Sequence, residues 1–300
     1  ACDCKLVHED MTKILTCILE YCREEGFSYY HKMQHTGFLR HLLLRRGNTT
    51  GEILVNLVTT SEIETDFAEL QKRLLALPLE GKIVGFLHII NNSLSDVVRS
   101  DETRILYGQD YFYEEILGLK FKITPFSFFQ PNSYGAEVLY KTAREYIGDT
   151  KEMTVFDLYS GTGTISQIMA SVAKEVIGVE LNPDAVRDAV KNAKHNQMKN
   201  IRFYQEDAGR FMEKMAALGE KADVVFMDPP RSGSTEQFMK SVVTLAPKKI
   251  VYISCKMTSL ARDLEMMQLA GYRVEKMTAV DQFCETVHVE VVCCLHRVNS

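Results

Sequence analysis

Residues 153–170 read MTVFDLYSGTGTISQIMA. Strand formers run into Asp157-Leu158, the small residues Ser160-Gly161-Thr162-Gly163-Thr164 follow, and an apolar helical run begins at Ile165. This is a strand, a tight turn and a helix, and the glycines let backbone approach a ligand closely. Downstream the two signals keep alternating. KEVIGVEL reads as a strand, NPDAVRDAVKNAKHNQ as a helix, IRFYQED as a strand, with a helix near 209–218. ADVVFMDPP is the next strand, then a helix near 234–245, KKIVYISC, a helix near 258–270, YRVEKMTAV and HVEVVCCLHRV. Regular β-α alternation with short links predicts an α/β fold with a doubly wound, mainly parallel sheet.

Upstream the texture differs. Residues 9–26 carry apolar side chains at 11, 14, 15, 18, 19 and 22, a helical spacing closed by Gly26. FLRHLLLRRG and GEILVNLVTT form a predicted hairpin across the Gly47–Gly51 turn. A helix at 66–77 ends at Pro78, and KIVGFLHIIN, TRILYGQDYFYEEI and LKFKITPFSF read as further strands. The reading is a smaller α+β domain on an antiparallel sheet over 1–124, followed by a larger Rossmann-like domain over 125–300.

Three hundred residues suffice for two modest domains. Hydrophobic residues at 46% and charged residues at 25% are ordinary for a globular chain. No apolar run approaches the roughly 18 residues of a membrane span, and ACDCKLVHED lacks the features of a signal peptide. A start at Ala1 suits a processed or truncated chain. A net charge of −5 argues against a broad basic face for duplex nucleic acid, though it leaves room for a local basic groove. The eight cysteines, at 2, 4, 17, 22, 255, 284, 293 and 294, are irregularly spaced and read as reduced thiols of a cytoplasmic protein. With no Cys-x2-Cys pair, no metal site is expected.

Glu180 ends the second strand of the alternating region, 23 residues after Asp157, where a carboxylate can accept both ribose hydroxyls of a nucleoside. Asp207 ends the third strand, where adenine would lie. No third glycine at the pyrophosphate spacing and no Gly-Lys-Ser/Thr follow, so a nucleoside ligand without phosphates fits better than NAD or ATP. S-adenosylmethionine is such a ligand.

A second set of residues concerns chemistry. Asp228-Pro229-Pro230-Arg231 forms a stiff, carbonyl-rich lip at the end of a buried strand. Such lips occur in methyltransferases acting on planar nitrogen groups and in others. The next strand ends in Cys255, and the last strand region carries Glu290. Cys17, Cys22, Cys293 and Cys294 read as core or incidental residues. Cys255 differs by its place at a strand end, beside Lys256 and ahead of a helix, which predicts a lowered thiol pKa. A thiol matters for methylation of a pyrimidine at C5, a poor nucleophile. Addition of a thiolate to C6 makes an enolate with electron density at C5, and a base must later remove the C5 proton.

These motifs together resemble the S-adenosylmethionine-dependent RNA uracil-5 methyltransferases, most specifically over residues 121–295. PFSFFQPN (125–132) is similar to the family's F-x-Q-x-N segment, which implies Gln130 as a cofactor contact. DLYSGTGT resembles its glycine motif and implies Tyr159, Gly161 and Thr164; VIGVE implies Glu180, and DPPRSG implies Asp228. ISCKMTSLARDL resembles the nucleophile motif, with Cys255 as nucleophile, and HVEVV the ending that carries the base, Glu290, 35 residues on. Two positions depart from the pattern: Cys255-Lys256-Met257 stands where Cys-Asn-Pro is usual, and Phe283-Cys284 where Phe-Pro is usual.

The resemblance implies methyl transfer from S-adenosylmethionine to a uridine of structured RNA, 23S rRNA foremost and tRNA as the alternative, by a monomeric cytoplasmic enzyme with no membrane or DNA partner. The target base must be unpaired or flipped out. Family members often carry an N-terminal OB-like (TRAM) domain and some a four-cysteine iron–sulfur cluster; both are expected only in a longer chain, with Cys4 as a remnant ligand. Arg40, Arg45, Arg46, Lys120 and Lys122 are candidate RNA-backbone contacts, with Arg231 and Phe126 lining the base pocket. Three other readings stand beside this one. A nitrogen or protein methyltransferase needs no thiol. A non-catalytic RNA-binding protein would need neither Cys255 nor Glu290. A cytosine-5 methyltransferase usually has Pro before the thiol, where this chain has Ser254.

Overall fold

The computed structural model describes residues 4–95, 97 and 100–298; Cys2 lies outside them. The chain divides into two compact units, Ala1–Glu114 with Lys122–Phe126, and Glu115–Phe121 with Ser127–Ser300.

In the first unit α1 (Glu9–Glu24) starts at His8, whose side chain accepts from the Asp10 amide, and buries Ile14, Ile18, Tyr21 and Cys22 along one stripe. Those side chains meet Phe38, Phe67 and Phe86 in one core. Strands β1 (Leu39–Arg46), β2 (Glu52–Thr59), β3 (Lys82–Ile90) and β4 (Glu102–Gly108) lie in that order, with α2 (Ala68–Leu75) between β2 and β3. The predicted hairpin β1/β2 is antiparallel, as is β3/β4, but β2 and β3 are parallel. The physical reason is α2: a helix crossing between two strands returns the chain in the same direction. The stretch read as one strand, TRILYGQDYFYEEI, breaks at positive-φ Gly108 into β4 and β5 (Phe112–Ile116). β5 pairs with β6 (Leu119–Ile123) through the left-handed pair Leu117-Gly118, the backbone a two-residue hairpin demands.

The second unit holds the alternating region. Its helices and strands are α3 (Ser133–Ile147), β7 (Thr150–Leu158), α4 (Thr164–Ala170), β8 (Ala173–Glu180), α5 (Pro183–His195), β9 (Ile201–Gln205) and α6 (Ala208–Ala217). They continue as β10 (Val224–Met227), α7 (Glu236–Leu245), β11 (Lys249–Ser254), α8 (Met257–Leu269), β12 (Tyr272–Val280) and β13 (Glu290–Arg297). The seven-stranded sheet runs β12-β13-β11-β10-β7-β8-β9. All pairs from β11 to β9 are parallel, and β13 inserts antiparallel between β11 and β12. Strand order reverses between β7 and β10, and crevices at such a switch point are where open α/β sheets bind ligands. The sheet's core includes Phe156, Leu158, Val225, Met227, Ile250, Tyr252 and Cys293.

Candidate active site

The turn after β7 is built around backbone that ordinary residues avoid. Tyr159, Gly161 and Gly163 all have positive φ (70°, 54° and 77°). Their glycines serve different ends. A Cβ on Gly163 would sit 2.7 Å from the Phe203 ring and 3.0 Å from Ala189, so Gly163 lets α4 seat against the sheet. A Cβ on Gly161 would meet nothing within 4 Å, so the backbone there faces open space. The Gly161 amide donates to Glu180 Oε2 at 3.0 Å and the Asn182 amide to Glu180 Oε1 at 2.8 Å. Glu180 therefore sits at the loop's edge with both oxygens held in place. Tyr159 packs its ring against Phe238 (5.5 Å between centroids), and Thr164 is buried at the start of α4. Asp207 caps α6, accepting from the Arg210 amide at 3.0 Å, and is exposed. That capping duty alone accounts for an acid at this position.

Gln130 precedes α3. Its Oε1 accepts from Gln282 Nε2 at 2.9 Å, while Asn132 caps α3 and donates to the Gln282 carbonyl at 2.8 Å. Gln282 lies between β12 and β13, in the segment that leads to Glu290.

The chemistry end assembles from β10, β11 and β13. The β11/β13 ladder keeps a single register from Lys249↔His296 to Ser254↔Val291. Cys255 directly follows the last paired residue of β11 and Glu290 opens β13, so the thiol and the carboxyl come from adjacent strand ends. Asp228 ends neighbouring β10. The lip 228–234 is pinned from α8: Ser259 Oγ donates to the Arg231 carbonyl (3.1 Å), Arg262 to the Ser232 and Ser234 carbonyls (3.1 Å each), and the Ser234 amide to Asp263 (2.8 Å). Asp263 is fully buried and also accepts from Tyr252 Oη at 2.7 Å. Gly233 is required here, since a Cβ would meet Arg262 at 2.5 Å and Asp263 and Ser259 at 2.9 Å. Sequence reasoning passed over Ser259, Arg262 and Asp263 as residues that shape the site. The signal was in Leu260-Ala261-Arg262-Asp263-Leu264, where a charged pair interrupts the apolar face of a helix beside the lip.

The electrostatics run against the expected lowered thiol pKa. Burial pushes the Cys255 thiol up, and Glu290 and Asp228 push it further; Arg231 opposes them. Burial also raises Glu290, again against Arg231. Asp228 is pushed up to about 8 by burial and then by Glu290 and Asp157, and Asp157 to about 7, chiefly by burial. Asp157 accepts from Ser166 through one oxygen, and its other oxygen is buried without a partner. Burial is thus the first cause of the raised carboxyls and thiol at this sheet edge, with Glu290 adding to both Asp228 and Cys255.

The sequence model of the tRNA (uracil-5-)-methyltransferase family matches residues 47–298. The chain belongs to this family. Among its relatives are uncharacterized RNA methyltransferases of Clostridium tetani (46% identical, covering 99% of this chain and 65% of the relative) and Clostridium acetobutylicum (45%, 98% and 64%). The chain thus spans just under two thirds of the length of the curated relatives it matches. A solved tRNA (uracil-54, C5)-methyltransferase from Pyrococcus abyssi, in complex with S-adenosyl-L-homocysteine, superposes with a TM-score of 0.77 at 30% identity, covering 96% of this chain and 66% of that one. A putative S-adenosylmethionine-dependent methyltransferase of Streptococcus mutans shares the fold (TM-score 0.57, 12% identity). The doubly wound methyltransferase fold read from the β-α alternation is therefore the family's own.

The basic residues of the first unit are less available than their sequence suggested. Arg40 donates to the carbonyls of Asn91, Ser93 and Ser95 and stacks on Tyr30, Arg45 donates to the Thr124 carbonyl, and Arg46 pairs with buried Asp10. The Lys122 ammonium lies 3.6 Å over the Tyr111 ring; Lys120 belongs to the second unit, where its backbone amide donates to Asn196. The three arginines hold parts of the first unit together. Arg231 is exposed beside Cys255 and Glu290, whereas Phe126 (48% exposed) falls in the first unit. Among the described residues no helix is long and apolar enough to cross a membrane.

Proposed function

We propose that the chain is the catalytic part of an RNA (uracil-5-)-methyltransferase that modifies a uridine of structured RNA, 23S rRNA in the first instance, through a covalent bond between Cys255 and C6. The observation that carries the reading is that Cys255 and Glu290 stand at adjacent ends of paired strands β11 and β13, close enough for the Glu290 charge to act on the thiol. Support for the ligand comes from the open backbone at Gly161 and the Glu180 carboxylate on the loop's rim. S-adenosylmethionine fits both, and when bound it supplies the methyl group that C5 accepts. Glu180 would take the ribose hydroxyls, Gly161 would present bare backbone, Tyr159 and Thr164 would line the loop, and Asp207 would border the adenine. Gln130 and Asp228 would face the cofactor's other end.

The chain's own residues then act in turn. Cys255 gives its thiol proton to solvent and its sulfur bonds to C6, while the C5–C6 double-bond electrons shift towards C5 and O4. After C5 has been alkylated, Glu290 takes the C5 proton and the C6–S electrons return to sulfur, releasing the thiolate. Burial raises the Glu290 carboxyl above its usual range, which makes its carboxylate the stronger base. Phe128 and Arg231, both exposed, are available to the flipped base. The first unit is the proposed RNA-binding domain, and the chain is proposed to act as a cytoplasmic monomer, without membrane or DNA partners. An OB-like domain or iron–sulfur cluster belongs to this reading only for a longer chain. A second reading, tRNA as substrate, is favoured by the matched family's description and the Pyrococcus abyssi enzyme.

The test is RNA carrying 5-fluorouridine, incubated with the protein and S-adenosylmethionine. Fluorine cannot leave as a proton, so a gel-stable adduct is expected, absent in Cys255→Ala. Methylation of ordinary RNA with no adduct on the fluorinated RNA overturns the thiol mechanism. Activity retained in Cys255→Ala would point instead to an acceptor that needs no covalent intermediate. Parallel 23S rRNA and tRNA transcripts separate the two substrates.

A further inference from the structure

We propose that Glu275, Cys294 and His296 form a binding site for a borderline-soft divalent cation of the zinc class. The three side chains offer one ligand atom each, and those atoms all lie within 4.8 Å of one another. His296 Nε2 stands 2.6 Å from Glu275 Oε2, and Cys294 Sγ stands 4.0 Å from the same oxygen. A tetrahedral zinc ion with these donors would set them roughly 3.3 to 3.6 Å apart, so rotamer adjustments of under about an ångström at these two spacings close the site.

The backbone is arranged for this. Cys294 and His296 are two apart on β13 and share a face. Glu275 lies on β12 at the point where the ladder shifts register, between Val274↔Leu295 and Lys276↔Cys294. A bulged residue is re-aimed out of the regular alternation, which is how Glu275 joins the face of two residues on the other strand. The donor set suits the cation as well. A thiolate and a carboxylate cancel a double positive charge, a neutral imidazole completes a borderline-soft set, and three protein ligands leave a fourth position open. Two lysines face the cluster. The Lys249 ammonium is engaged by the carbonyls of Tyr146 and Ile147, at 2.9 and 2.7 Å, and Lys276 lies over the Tyr146 ring. Cys294 stands four residues from Glu290, about 14 Å along the strand, so the cluster is separate from the proposed active site. Spacing along the chain could not reveal it, because strand pairing rather than a Cys-x2-Cys turn brings the donors together.

The cation would cross-link edge strand β12 to β13 across the bulge. The probes are Zn²⁺ and Co²⁺ titrated into the purified chain. The expected result is one tight Zn²⁺ site in competition with a chromophoric chelator, a thiolate-to-cobalt charge-transfer band with Co²⁺, and a Zn²⁺-dependent rise in Tm. His296→Ala, half-exposed and safe for folding, should weaken Zn²⁺ on the order of 100-fold or more. Cys294→Ser should abolish the charge-transfer band, and Cys284→Ser should leave it intact. Absence of a saturable Zn²⁺ site in the wild type, a band that survives Cys294→Ser, or unchanged affinity in His296→Ala overturns the proposal.

Discussion

Asp157 gives a sharp test of how burial sets the ionisation of this site. It is 1% exposed, one oxygen accepts from Ser166, and the other has no partner. Burial is the largest effect on its carboxyl, Glu180 adds to it, and together they raise it from an ordinary 3.8 to about 7. Between those values the folded protein holds a proton that the unfolded chain has lost. Stability therefore falls as pH rises, by about 1.4 kcal/mol per pH unit, and levels off above about 7, for a total of roughly 4 kcal/mol. Asp157→Asn removes this titration while keeping an oxygen for Ser166. The new amide also leaves a donor unpaired, which costs about 1–3 kcal/mol, but that cost does not change with pH. Urea unfolding of both proteins across this window is the assay. The variant should gain on the wild type steadily as pH rises, and the gain should stop near neutrality. A difference that changes by less than about 1 kcal/mol over the whole window, beyond the error of the extrapolation, would refute the assignment.

Four further outcomes follow from the same geometry. Gly163→Ala should destabilise by roughly 2–4 kcal/mol in thermal unfolding, because the added methyl meets the Phe203 ring and φ stays left-handed. In the ligand-free protein the rate of Cys255 alkylation by iodoacetamide, followed by peptide mass spectrometry, should keep climbing well above neutral pH; a plateau below pH 7 would contradict the raised thiol. Glu290→Gln should accumulate the RNA adduct even with ordinary uridine, visible as a slow band on a denaturing gel. Lys256→Asn should raise stability by about 1 kcal/mol, since Lys256 is the N-cap of α8 and makes no side-chain cap bond.

Much of the second unit was legible because its signals are periodic and local. The strand–turn–helix at 153–170, the alternation after it and the strand-end residues Glu180, Asp228 and Cys255 follow from residue type and order alone. What could not be read depends on partners distant in sequence. The parallel β2/β3 pair needs knowledge that α2 crosses over rather than turning back. Arg46 looks like a surface cation until Asp10, 36 residues away, is seen beneath it. The thiol of Cys255 was judged from Lys256, its chain neighbour, whereas its surroundings are set by Glu290, Asp228 and Arg231 from two other strand ends. A helix ahead of a thiol lowers its pKa only where burial and nearby acids do not outweigh it.

One of the two departures from the family pattern, Lys256-Met257, bears on the turn after Cys255. Asn-Pro after the nucleophile would supply an N-cap acceptor and a proline suited to the first helical position. Here Lys256 occupies the cap and Met257 the first position, so neither contribution is present. Two hydroxyls hold the turn instead. Ser254 Oγ accepts from the Lys256 amide at 3.2 Å and donates to the Lys256 carbonyl at 3.0 Å, and Ser259 Oγ donates to that same carbonyl at 3.0 Å. That single hydroxyl proton is shared with the Arg231 carbonyl at 3.1 Å, so one side chain ties the turn after Cys255 to the lip that carries Asp228. The geometry around the thiol then depends on α8 as a whole rather than on a rigid dipeptide. By that reasoning Ser259→Ala should disturb Cys255 reactivity more than Lys256→Ala does, because only the serine connects two of the strand ends that meet at the site.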